Sequence, residues 1–229
     1  MSTGAGRCHV LLFDFGGTLD ADGVAWNDRF YDVWREEVGD GQRERFDQAF
    51  YAADAALVGA VPADLPLTET IRRLARGIGR ELLAGGAAAE RAGSRFASDS
   101  LHTLARRAPL LALLASRYRL GIVSNFYGNL AAACQEAGIG RYFAAAVDSV
   151  DVGWVKPDAR IFRAALDQLG AFPGEAVFVG DSPMRDMAGA RAIGMSHVLL
   201  RPASGEPPVL CCPGDRAIAT LEQLPEALA

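Results

Sequence analysis

The chain reads as an α/β protein, a doubly wound parallel sheet core with a small α-helical cap. Three observations lead there. An apolar run, His9–Phe13, leads into Asp14 and then Gly16-Gly17, the pattern of a short buried strand followed by a sharp turn. From Ala108 onward, apolar runs of strand length alternate with segments of helical period. Such alternation calls for crossover units and a parallel sheet with helices on both faces. Between these regions, from about Trp26 to His102, every apolar stripe has helical spacing and no run reads as a strand.

The elements follow in order. Trp26, Phe30, Val33, Trp34 and Val38 fall on one face of a first helix. Phe46, Phe50 and Leu57 mark a second, closed by Val61-Pro62. Pro66 and Thr68 open a third through Ile71, Leu74, Ile78 and Leu82, ended near Gly85-Gly86, and a fourth begins at about Ala87. Strands are then expected at Leu120–Ser124, Ala145–Val147, Ala176–Val179 and His197–Leu200. Helices are expected at Asn129–Glu136, Asp158–Leu169 and Met184–Ile193. Pro202–Pro213 reads as a loop, followed by an edge strand near Ile218 and a last helix from Thr220. Residues 1–20 and 103–229 then form the core, and 21–102 the helical cap.

Composition sets the outer bounds. With 229 residues, half of them hydrophobic and 22% charged, the chain can bury a sizeable core. A formal net charge of −5 offers no general basic field for nucleic acid. No apolar run reaches the ~18 residues a bilayer requires, and the N-terminus shows no secretory signal. A cytoplasmic location is expected. Cys8, Cys134, Cys211 and Cys212 show no metal-binding spacing; the first two are expected as reduced core residues and the last two in the tail loop. Lys156 is the only lysine in the chain.

Four strand ends carry polar residues, and ligands of open parallel sheets bind at the carboxyl ends of strands. Asp14 ends the first. Ser124-Asn125 follows the second; alone this pair is also a turn or helix cap, but its hydroxyl and amide suit phosphate oxygens. Lys156-Pro157-Asp158 precedes a helix, where the lysine is a point charge for phosphate. The strongest signal is VFVGDSPMRDMAGARAIG, residues 177–194, in which a buried strand delivers Gly180 and Asp181, with Asp186 five residues on. Two carboxylates gathered beside Asp14 repel unless a cation lies among them, and magnesium suits an all-oxygen site that keeps waters for phosphate to replace.

The stretch FDFGGTLD, with Asp14, Gly17 and Thr18, resembles the first motif of the haloacid dehalogenase-like hydrolases, a superfamily made up mostly of phosphatases. Ser124 matches its second motif, Lys156 its third, and Asp181 with Asp186 its fourth, in the family's order. The 21–102 insert resembles the helical cap of the first subclass, whose core is Rossmann-like. The resemblance implies that Asp14 attacks phosphorus to form an aspartyl-phosphate. It implies that Asp14, the Gly16 carbonyl, Asp181 and Asp186 hold Mg2+. Ser124 and Lys156 would then hold the phosphoryl oxygens, with Gly17 and Asn125 beside them.

One position departs from the pattern. Where the family carries a second Asp as general acid/base, this chain has Gly16, and positioned proton transfer is worth about 10²–10⁴-fold. Three readings follow. A Mg2+-dependent phosphatase acting on a small phosphate monoester, sugar phosphates included, tolerates the loss through a good leaving group or a substitute acid, for which Asp20 and Asp22 are candidates. A non-phosphatase member fits less well: dehalogenases tend to carry an aromatic at this position, and phosphonoacetaldehyde hydrolases need a cap lysine that this insert lacks. A catalytically weak or inactive protein that binds a phosphorylated ligand or partner is the alternative from another class. Trp26, Asn27, Arg29, Tyr31 and the arginines from Arg72 to Arg80 are candidates to face the substrate. Resemblance also suggests cap hinges near Ala21–Val24 and Leu101–Ala108.

Overall fold

The computed structural model describes residues 8–39, 41–202 and 214–229. Six strands, β1 (Val10–Phe13), β2 (Arg119–Ser124), β3 (Phe143–Asp148), β4 (Ala176–Gly180), β5 (Ser196–Leu200) and β6 (Arg216–Ile218), form one sheet in the order β3-β2-β1-β4-β5-β6. Every neighbouring pair is parallel. β1 lies between β2 and β4, so the chain winds outward from it in both directions. This is the topological switch point at which open α/β sheets place their ligands.

β1 and β4 are buried along their whole length, which explains their continuous apolar runs: helices cover both faces of a parallel sheet. Side chains alternate across the strand. Leu11 and Phe13 enter the core that extends into the helical insert, while Val10 and Leu12 enter a second core with Ile161, Phe162 and Phe178.

Four helices intervene between β1 and β2: α1 (Trp26–Val38), α2 (Arg43–Leu57), α3 (Leu67–Glu81) and α4 (Gly86–Ala115). Aromatic residues hold them together; Phe30 stacks on Phe96 with centroids 4.6 Å apart, and Phe46 and Phe50 pack behind. α4 is 30 residues long and carries the chain back to the sheet without a break, so the expected hinge at Leu101–Ala108 falls inside a helix. After β2 come α5 (Leu130–Glu136), α6 (Ser149–Val152), α7 (Ala159–Leu169), α8 (Ala188–Ala192) and α9 (Leu224–Ala227). The expected Met184–Ile193 helix is divided: Pro183–Met187 forms a wider turn before α8, the Ala188 N–H reaching back to the Pro183 carbonyl and the Ser182 side chain accepting from the Arg185 N–H. Cys8 and Cys134 are free thiols, and burial pushes Cys134 up to about 12. The expected tail loop, with Cys211 and Cys212, lies almost wholly outside the described residues. Among the described residues, no helix is long and apolar enough to cross a membrane.

Candidate active site

The carboxyl end of β1 is locked to its neighbour when the Asp14 N–H donates to the Val179 carbonyl at 2.9 Å. The chain then turns through Phe15–Leu19, with Gly17 at φ +84°. Two demands fall on Gly17. Its φ lies in the left-handed region, and an added Cβ would stand 2.7 Å from Asp181 Oδ2. Gly180 is constrained in the same manner, since a Cβ there would overlap the Asp186 carboxylate. The two glycines thus provide the space in which the acids converge.

Asp14, Asp181 and Asp186 each present a carboxylate oxygen within 4.8 Å of the others. Lys156 Nζ lies 2.7 Å from both Asp14 Oδ1 and Asp186 Oδ1. The Ser124 hydroxyl donates to Asp14 Oδ1 at 3.2 Å, and the Phe15 N–H does so at 2.7 Å. Asp14 Oδ1 thus takes three donors, whereas Oδ2 takes no hydrogen bond from a described residue. Thr18 donates to Asp181 Oδ1 at 3.1 Å, and the Ser182 N–H to Asp186 Oδ2 at 2.9 Å.

The charges are unbalanced: three carboxylates meet one ammonium. Burial, reinforced by the negative charges of Asp14 and Asp186, pushes the Asp181 carboxyl up to about 7. Asp186 is raised as well, burial outweighing the nearby lysine. Burial alone would pull Lys156 down, yet its two carboxylate partners outweigh burial and raise it; the lysine stays protonated through neutral pH. An excess of buried negative charge on oxygen donors fits a hard divalent cation such as Mg2+.

A cavity of about 260 Å³ opens above Asp14, Ser124 and Lys156. Trp26, Asn27, Phe50, Tyr51 and Asp54 from the helical insert line it, as do Phe126, Tyr127 and Arg185 from the core. Of the expected substrate-facing residues, Trp26 and Asn27 are present. Arg29 is committed to Asp20 at 2.7 Å, and Tyr31 packs on Phe46 and donates to the Gly41 carbonyl. Arg72 bonds Ser94, while Arg73 and Arg76 pair with Glu69. None of the arginines from Arg72 to Arg80 lines the cavity. Asn125 does, but its side chain holds Lys156: it accepts from the Lys156 N–H at 2.7 Å and donates to the Lys156 carbonyl at 3.2 Å. Its side chain positions the lysine instead of reaching for phosphate.

Neither candidate for a substitute acid survives. Asp20 is fully buried; Oδ1 accepts from the Gly17 N–H at 2.8 Å, and Oδ2 takes Trp26 Nε1, Arg29 and the Ser100 hydroxyl. It anchors the turn. Asp22 pairs with Arg107 at 2.6 Å beside a different cavity. Against Gly16 stands the Trp26 indole, whose Nε1 would lie 3.1 Å from an added Cβ. Sequence reasoning missed Asp54, Tyr127 and Arg185. Asp54 had a signal: it falls four residues after Phe50, a carboxylate close to the apolar stripe of α2.

The family model of haloacid dehalogenase-like hydrolases matches residues 8–194. The chain belongs to that family. Over 178 residues it is 33% identical to a phosphoserine phosphatase of Thermus thermophilus, covering 72% of this chain and 66% of that one. Over 82 residues it is 39% identical to haloacid dehalogenase-like hydrolase domain-containing protein 3 of Bos taurus, covering 36% of this chain and 33% of that one. The matches thus span about a third to two thirds of these relatives' length. A HAD phosphatase from Thermococcus onnurineus shares the fold, with a TM-score of 0.59 and 23% identity over 96% of this chain and 98% of that one. So does a dehalogenase solved with an intermediate complex, with a TM-score of 0.66 and 21% identity over 96% of each chain.

Proposed function

We propose that this protein is a Mg2+-dependent phosphatase of small phosphate monoesters, working in the cytoplasm through an aspartyl-phosphate on Asp14. The observation that carries the reading is the single buried lysine, 2.7 Å from both Asp14 and Asp186, at the floor of a cavity that also exposes Ser124. An ammonium so placed restrains the nucleophile and neutralises phosphoryl charge, which is most of what phosphoryl transfer asks of a protein. Asp14, Asp181, Asp186 and the Gly16 carbonyl are the groups that would hold Mg2+. When bound, the ion supplies further neutralisation of phosphoryl oxygens.

The chemistry of the chain's own residues is as follows. With its carboxylate oriented by Ser124, Phe15 and Lys156, Asp14 attacks phosphorus through one oxygen, forming a P–O bond as the ester P–O bond breaks, and its other oxygen is the one that would face Mg2+. The electron pair leaves with the alcohol oxygen, which takes its proton from water. A water then attacks phosphorus, the Asp14–phosphorus bond breaks, and inorganic phosphate departs with the proton lost to solvent. No carboxyl stands at Gly16 to move either proton, so the reading favours leaving groups of low basicity. Sugar 1-phosphates meet that condition; phosphoserine and glyceraldehyde 3-phosphate, for which relatives are named, belong in the same trial.

The indole against Gly16 favours one alternative, a weakly active or inactive protein that binds a phosphorylated ligand. Phosphate release from a panel of esters, with and without Mg2+ and with Asp14→Asn beside the wild type, separates the two. Turnover that needs both Mg2+ and Asp14 is expected. Phosphate binding without turnover on any ester would replace the phosphatase by the binding protein.

A further inference from the structure

Beyond Asp14, Ser124 and Lys156, the cavity has two charged lining residues among those described, Asp54 and Arg185. Asp54 comes from α2 of the helical insert and Arg185 from the turn after β4, so they approach from the two parts of the molecule. Asp54 Oδ1 accepts from the Tyr127 hydroxyl at 2.6 Å, a neutral donor, and its other oxygen takes no hydrogen bond from a described residue. Among the described residues, the Arg185 side chain makes one hydrogen bond, from Nε to Ser182 Oγ at 3.4 Å. Arg185 lies near enough to hold the Asp54 carboxyl down against burial, though burial prevails, and the two form no ion pair. A half-buried carboxylate and an exposed arginine thus stand across one cavity, neither with a charged partner among the described residues.

We propose that this outer half of the cavity holds a small zwitterionic amino-acid leaving group, its ammonium against Asp54 and its carboxylate against Arg185. A polyol would leave the Asp54 carboxylate desolvated without a cation, and burial already raises that carboxyl. A simple amine would leave Arg185 unmatched. An α-amino acid carries both charges on one carbon, small enough for a 260 Å³ cavity. The Trp26, Phe50 and Phe126 rings lining the same space suit an ammonium flanked by apolar carbons. Such a leaving group also answers the missing carboxyl at Gly16, because an ammonium next to the ester carbon acidifies the departing alcohol. The inference rests on the phosphatase reading for the phosphoryl end only.

The test is calorimetric binding, with Mg2+ present, to Asp14→Asn protein, which needs no turnover. Four ligands divide the charges: O-phosphoserine carries both, phosphoethanolamine the ammonium, phosphoglycolate the carboxylate and glycerol 1-phosphate neither. O-phosphoserine is expected to bind tightest. Adding Asp54→Asn should weaken the ammonium-bearing ligands by about tenfold or more and leave phosphoglycolate within about twofold. Arg185→Gln should do the converse for the carboxylate-bearing pair. Equal affinity for all four ligands, or an equal loss on all four in either variant, would overturn the assignment. Wild-type turnover of p-nitrophenyl phosphate, run in parallel, tests the phosphatase reading by itself: turnover without charge discrimination defeats the inference alone, and discrimination without turnover defeats the phosphatase alone.

Discussion

Asp181→Asn removes one of three converging carboxylates, and its effect on stability follows from the charge imbalance. The Asp181 carboxyl moves from 3.8 in the unfolded chain to about 7 in the folded one. A raised acid holds its proton more tightly when folded, so stability is full below about 4, falls as pH rises, and is lowest above 7. At about 1.4 kcal/mol per pH unit the span is about 4.5 kcal/mol; solvent reaching the half-buried side chain reduces it to about 2–4 kcal/mol. Asp54 and Asp148 are raised too, by burial, and add slope of the same sign. Lys156 is raised above 10.5 and adds none between pH 5 and 8. The difference between wild type and Asp181→Asn reads the Asp181 charge together with its repulsion from Asp14 and Asp186. Melting without Mg2+ should show the variant about equal to wild type near pH 4 and about 5–10 °C more stable at pH 8. With Mg2+ at pH 8 the order should shift, because the ion stabilises the three-carboxylate protein by mass action and the variant much less. A variant no more stable than wild type at pH 8 without metal would refute the argument that these carboxylates repel.

Three other predictions concern the same site. Gly16→Asp, which restores the family's missing carboxyl, should give no gain in phosphate release and a lower melting temperature, because its Cβ meets the Trp26 indole at 3.1–3.4 Å; a gain of tenfold or more in turnover would contradict this. Lys156→Met should abolish turnover and cost about 3–5 kcal/mol in urea unfolding at pH 7, since Asp14 and Asp186 lose their shared cation; unfolding within about 1 kcal/mol of wild type would contradict the pairing. Asp20→Ala should lower stability by about 2–5 kcal/mol, leaving Arg29 without a carboxylate and the Gly17 N–H without its acceptor. It should not alter the shape of the pH–rate profile; a lost acidic or basic limb would restore Asp20 as a proton donor.

Much of this architecture was legible because strands in a parallel sheet are buried on both faces and stop in polar residues. The runs before Asp14, Ser124 and Asp181 announced themselves in that manner, and their meeting at one sheet edge follows from topology. What did not show was anything set by side-chain direction. Asp20, four residues after Gly16, read as a free loop carboxylate, and only packing shows both its oxygens occupied. Asn125 read as a phosphate ligand, yet its amide pairs with the Lys156 backbone, 31 residues away. Asp54 and Arg185 are remote in sequence and belong to different parts of the fold, so no local pattern could join them. The expected hinge near Leu101–Ala108 lies within a continuous helix: α4 runs through Pro109, packing on both the insert and the core.

The central claim, that Asp14 is phosphorylated, has a direct test. Wild-type protein is mixed with Mg2+ and p-nitrophenyl phosphate, quenched in acid during turnover and mapped by mass spectrometry. With no carboxyl at Gly16 to activate water, the acyl-phosphate should break down slowly and accumulate. The expected result is one phosphoryl group on the peptide that contains Asp14, absent from Asp14→Asn. Phosphate release with no phosphoryl group on that peptide, or with one on another residue, would contradict the account.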